Sequence, residues 1–118
     1  MGYWADKIVQ ISLDKLCDTP VTLNDFQRKI VDDVLIAHSQ IRMWHIHAKN
    51  VRTNHVHIVV TANRDPDTVA EQYKAWASRK LNINLGRKRS WWTEGQSTMW
   101  IYDEEYLENV IRYVLEGQ

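Results

Sequence analysis

His55 and His57 bracket one apolar residue, Val56, and run straight into the apolar, β-branched stretch Ile58-Val59-Val60. Such a run reads as a strand, on which successive side chains point to opposite faces. The two imidazoles therefore share a face while Val56 turns into a core. Two imidazoles so placed can reach one divalent ion, but they need a third ligand and open positions before the ion can act on a substrate. A His-x-His by itself is ordinarily structural or superficial, because histidine is of intermediate burial and fits either place. Two further features shift that balance. Tyr113 lies on an amphipathic segment further along the chain, and a phenol becomes a nucleophile once its proton is drawn off. Between Glu71 and Glu94, moreover, Lys74, Arg79, Lys80, Arg87, Lys88 and Arg89 occur with no acidic residue among them. A solvated helix face is the plain reading of such a run. Trp91, Trp92 and Trp100 beside it favour a nucleic-acid surface, since unpaired bases stack on aromatic rings while cations follow the phosphates.

The composition bounds what can carry these residues. The 118 residues, 44% of them hydrophobic, suit a single domain over 1–118 with one real core. Fifteen basic and 15 acidic residues cancel, so only the local charge distribution can point to a polyanion. Cys17 is the lone cysteine, which excludes an internal disulfide and any multi-cysteine zinc site. No stretch is apolar enough to span a bilayer and no basic-then-apolar signal opens the chain, so the expectation is a cytoplasmic protein with no membrane partner.

The elements that must position the site follow from periodicity. Val9, Ile11 and Leu13 alternate with polar residues, giving a half-buried first strand. Asn24 or Asp25 caps a helix to about residue 39, with Phe26, Ile30, Val34 and Ala37 as its core face. A strand over about 43–49 and the loop 50–53 lead into the histidine strand as an antiparallel hairpin. If that loop pairs Lys49 with Asn54, then Ile46 lies opposite His57, and His45 and His47 fall on the reverse face, away from any metal. Asp65-Pro66 opens a second helix with Val69, Tyr73, Trp76, Ala77 and Leu81 as its stripe. Residues 90–93 and 98–102 form a short hairpin around Glu94-Gly95-Gln96. Asp103, Glu104 and Glu105 start the last helix, where negative charge suits the helix N-terminus. Its stripe is Leu107, Val110, Ile111, Val114 and Leu115, with Tyr113 on the flank, able to reach the sheet. The expected order is β-α-β-β-α-β-β-α, an α+β fold with helices on one face of an antiparallel sheet.

The stretch His47-Ala48-Lys49-Asn50-Val51-Arg52-Thr53-Asn54-His55-Val56-His57 resembles the HUH (His-hydrophobic-His) motif of the small single-tyrosine transposases, and especially the REP-associated, IS200-like group. The similarity continues through residues 74–82 and Trp92-Thr93-Glu94-Gly95 to Tyr113-Val114-Leu115-Glu116-Gly117-Gln118, and covers roughly residues 20–118. The resemblance implies a ferredoxin-like, RRM-like HUH nuclease fold and a metal-dependent single-stranded DNA endonuclease or transposase. Such an enzyme cleaves and rejoins DNA near hairpins through a 5′-phosphotyrosine intermediate, with Mg²⁺ or Mn²⁺ on His55 and His57, Tyr113 as nucleophile, and a homodimer as the working unit. Relatives carry a longer N-terminal segment, so a domain shortened there is implied. They also take a third metal ligand from an Asn or Gln one helical turn after the tyrosine. Here Gly117 stands four after Tyr113 and Gln118 five after. The amide of Gln118 or the terminal carboxylate would fill the role. Three rival readings differ from this one: a catalytically silent DNA-hairpin binder, a metal protein using all four strand histidines, and a replication initiator or relaxase.

Overall fold

The computed structural model describes residues 7–14, 23–92 and 96–116. Among the described residues, four strands and three helices follow one another as β1 (Lys7–Asp14), α1 (Asp25–Arg42), β2 (His45–Val51), β3 (His55–Ala62), α2 (Pro66–Leu85), β4 (Ser97–Ile101) and α3 (Glu104–Leu115). The strands form one antiparallel sheet in the order β2-β3-β1-β4. The α+β fold and antiparallel sheet expected from periodicity are therefore present. Of the expected hairpin around Glu94, the second strand forms, while Ser90 and Trp91 belong to no strand among the described residues. Trp92 contributes an isolated bridge, and Thr93, Glu94 and Gly95 lie outside the described residues.

Each helix start is set by its cap. Asn24 and Gln27 bond each other's backbone amides reciprocally at the head of α1. At α2 the Asp65 carboxylate accepts from the amide and the hydroxyl of Thr68, with Pro66 at the first helical position. Those two bonds, the hydroxyl's foremost, hold the Asp65 carboxyl below its ordinary range. Asp103 accepts from the Tyr106 amide at α3.

The helices do not all lie on one face of the sheet. Val9, Ile11 and Leu13 of β1 and Val56, Ile58 and Val60 of β3 point to the side covered by α1 and α2, where the main core includes Val31, Leu35, Val69, Tyr73 and Leu81. The opposite side holds a smaller core of Ala48, Val59, Ile101, Val110 and Val114, and this is where α3 packs. Strand alternation produces both: Val59 is buried although its neighbours Ile58 and Val60 face the other way, because α3 covers it. The sheet is thus a middle layer between two helices and one.

Four apolar residues assigned to core stripes face solvent instead. Phe26 is 62% exposed, since it stands five residues from Val31 and about 140° round the helix from it. Ala37 is exposed next to the buried His38 and Ser39. Leu115 is 60% exposed, about a third of a turn from the Val110–Val114 line that touches the sheet. Trp76 is 40% exposed and is treated with the site below.

Candidate nuclease site

The β3 alternation that sends Val56 and Ile58 into the main core sends His55 and His57 to the α3 side. Their rings are tilted by 32° with centroids 5.8 Å apart. Two imidazoles bound to one ion place their centroids at most about 6.6 Å apart, given a metal–nitrogen bond of about 2.1 Å and about 1.2 Å from nitrogen to ring centre. The separation of the two rings is therefore within the reach of a shared divalent ion. Among the described residues no cluster of three or more His, Cys, Asp or Glu side chains could hold a metal. Gln118, the expected third ligand, lies outside the described residues.

α3 brings its tyrosine to this pair. It begins over β4, where Tyr106 Oη donates to Met99 Sδ at 2.8 Å, and ends over β2 and β3. Near that end the Tyr113 ring meets His57 edge to face, with centroids 6.3 Å apart and planes at 76°. Tyr113 remains 48% exposed, as expected of a flank residue beside the buried Val110 and Val114. Asn50 secures the end of the helix: its amide Nδ2 donates to the Val114 carbonyl at 2.8 Å. Two other tyrosines close in sequence to Tyr113 are engaged elsewhere. Tyr106 is engaged with Met99, and Tyr102, 80% exposed, stacks on Trp100.

Cross-strand register adds residues that the sequence pattern did not single out. Asn50 pairs with His57 from one side, Ser12 pairs with His57 from the other, and Ser97 pairs with Ser12. The result is a polar row, Asn50-His57-Ser12-Ser97, crossing all four strands. Ser12 Oγ lies 3.0 Å from His57 Nδ1. The available signal was Ser12's place on the polar phase of β1, but its partner could not be named without the register.

His45 and His47 depart from expectation. Both lie on the same face as His55 and His57, not on the reverse face. The pairing Ile46↔Val60 followed by Ala48↔Val59 marks a bulge at His47, which reverses the facing of everything before it. His45 is paired with Thr61, and His47 Nε2 lies 2.6 Å from Thr61 Oγ1. They remain apart from the candidate site, because Thr61 is four residues, about 13 Å, along the strand from His57. Burial first, and the neighbouring His45 second, holds the His47 pKa below its ordinary value.

The cation and tryptophan block divides into residues that face solvent and residues that do not. Arg79, Arg87 and Lys88 line a groove of about 510 Å³ beside α2, with Ser78, Asn82 and Ile83. Lys80 borders a neighbouring groove with Val34, Ile41 and Trp76. Lys74, in contrast, is buried, paired with Glu71 at 3.7 Å and bonded to Gln96 at 3.2 Å, so it is not displayed to a phosphate. Trp91 is 3% exposed and donates to Asn82; the half-buried Trp92 donates to the Lys74 carbonyl. Trp91 is thus core, and the indole nitrogens of both brace α2 against the segment that follows it. Arg89 lies over the Trp91 ring at 4.8 Å. The tryptophan of α2 left accessible is Trp76, with Arg79 4.6 Å from its ring centre. All of these belong to the layer on the far side of the sheet from His57 and Tyr113.

Comparison with known proteins agrees with the fold. No protein-family model and no curated protein sequence matches the chain. Among solved structures, a REP-associated tyrosine transposase bound to a REP hairpin superposes with a TM-score of 0.72 at 14% identity, over 97% of this chain and 68% of that one. A Deinococcus radiodurans R1 protein, provisionally assigned as a transposase, superposes with a TM-score of 0.69 at 13% identity, over 100% of this chain and 95% of that one. The chain has the fold of these transposases.

Proposed function

We propose that this protein is an HUH-type nuclease, a transposase-like enzyme that cleaves and rejoins single-stranded DNA near hairpins with Tyr113 as its nucleophile. The observation that carries the reading is the contact between Tyr113 and His57, which brings a half-exposed phenol to a same-face imidazole pair. In the cleavage step the Tyr113 phenolic oxygen attacks phosphorus, the bond from phosphorus to the 3′ oxygen breaks, and a 5′-phosphotyrosine and a 3′-hydroxyl result. The phenolic proton passes to solvent and the departing 3′ oxygen is protonated in turn. The ester bond on Tyr113 keeps the energy of the cleaved linkage for rejoining. His55 and His57 would hold Mg²⁺ or Mn²⁺, which supplies charge stabilisation at the phosphoryl oxygens. Imidazole is not magnesium's preferred ligand, so manganese should bind the pair better.

The exposed cations Arg79, Arg87 and Lys88 are proposed to follow the phosphates of a DNA stem on the α1/α2 side. A single strand leaving that surface then passes an edge of the sheet to reach Tyr113. A homodimer belongs to the same reading.

The test is to incubate the protein with labelled single-stranded hairpins and Mn²⁺ and look for a covalent protein–DNA adduct. Wild type should form it. Tyr113→Phe, which removes one oxygen, should abolish it while hairpin affinity stays close to wild type. An adduct mapped to Tyr102 or Tyr106 overturns the assignment of the nucleophile. Tight hairpin binding with no adduct overturns the enzyme reading in favour of a silent hairpin binder.

A further inference from the structure

His57 sits in the middle of the polar row, and the residue that touches its ring on the β1 side is Ser12, with Oγ 3.0 Å from Nδ1. A neutral imidazole offers one nitrogen as donor and the other as acceptor, and the hydrogen bond at one nitrogen decides which form persists. When Nδ1–H donates to Ser12 Oγ, the lone pair of His57 resides on Nε2, the nitrogen remote from the backbone. The Ser12 hydroxyl must then donate its own proton elsewhere. A cleft of about 170 Å³ lined by Gln10, Ser12, Ser97, Thr98 and Met99 opens beside it and is roomy and polar enough for water.

We propose that Ser12 is a positioning residue for His57: its hydroxyl, held opposite His57 by the β1/β3 register, fixes the imidazole plane and selects the form that presents Nε2 to a divalent ion. The inference rests on the metal-binding reading of His55 and His57 given above, and it extends that reading to a strand outside the histidine motif. Orienting partners of this kind typically change metal affinity by about 10- to 100-fold when removed.

The experiment titrates Mn²⁺ into the full chain and follows free Mn²⁺ by electron paramagnetic resonance, with no DNA present. Ser12→Ala removes one oxygen from a strand residue and leaves the backbone ladder intact. It should raise the Mn²⁺ dissociation constant by about 10-fold or more. Ser12→Thr keeps a hydroxyl on a β-favouring side chain and should bind close to wild type. His57→Ala should bind more weakly than either. If Ser12→Ala binds like wild type while His57→Ala does not, the role of Ser12 is refuted and the histidine assignment stands. If Ser12→Thr is as weak as Ser12→Ala, the hydroxyl is not responsible and the proposal is also refuted. If wild type binds no Mn²⁺, the metal reading falls and the proposal falls with it.

Discussion

Asn50→Ala should loosen the end of α3 without weakening the rest of the fold. The Asn50 amide donates to the Val114 carbonyl at 2.8 Å, and that carbonyl is among the last four of its helix, where apart from Asn50 only the Glu116 cap amide, shared with the Arg112 carbonyl, turns toward it. Val114 is 1% exposed, so water replaces the lost donor poorly. One such bond is worth about 1 kcal/mol net, which is roughly a 5-fold change in an equilibrium constant at room temperature. The main core on the α1/α2 side contains none of these groups. Hydrogen exchange should therefore quicken about 5-fold for the amides of α3, while those of α2 and β3 exchange as in wild type. Tyr113 adjoins Val114, so adduct formation should slow by a similar factor while Mn²⁺ affinity is kept. Equal acceleration across all helices would show that Asn50 supports the whole fold. An unchanged α3 would show that the bond does not hold it down.

Three other outcomes follow from the described contacts. Replacing Arg79, Arg87 and Lys88 together by glutamine should reduce the slope of log affinity against log salt for hairpin DNA by about 2 to 3, since each phosphate contact contributes about 0.7 to 0.9; an unchanged slope returns the groove to an ordinary solvated face. Tyr73→Phe should lower stability by about 1 to 3 kcal/mol, because the buried Tyr73 hydroxyl lies 2.7 Å from the buried Ser39 Oγ, which the change leaves without that partner; a urea midpoint measures it. His47 binds a proton less readily folded than unfolded, so its contribution to stability is complete above its ordinary pKa of about 6.5 and is lost as pH falls below it. Unfolding midpoints measured from pH 8 to pH 5 should decline less in His47→Gln than in wild type.

The parts of the fold legible in the sequence are those written in local periodicity and caps. Val9, Ile11 and Leu13 gave β1 its buried face, Asp65-Pro66 marked the start of α2, and the flank position of Tyr113 kept it accessible. Less legible was anything set by one element acting on another. That α3 covers the face opposite α1 and α2 depends on packing, and the clue was only Val59, apolar on the phase that its neighbours on the same face, His57 and Thr61, mark as polar. Trp76 and Trp91 exchanged the places expected of them, because helical phase sets the first outside the stripe and a loop folds the second into the core. Lys74 could not be told from the other cations of its run until its neighbours in space were known.

The bulge at His47 makes one residue of β2 surplus to the pairing of the sheet. Ile46 and Ala48 pair with the consecutive residues Val60 and Val59, so one position of β2 has no counterpart on β3. Substitution there leaves the count intact and should be absorbed locally. Deletion of His47 would set Ile46 beside Ala48 in a regular ladder, still opposite Val60 and packed against the main core, with His45 still opposite Thr61. The β2/β3 hairpin should accordingly tolerate loss of this residue as well as its replacement, whereas pairing His47 without the bulge would turn Ile46 out of the main core.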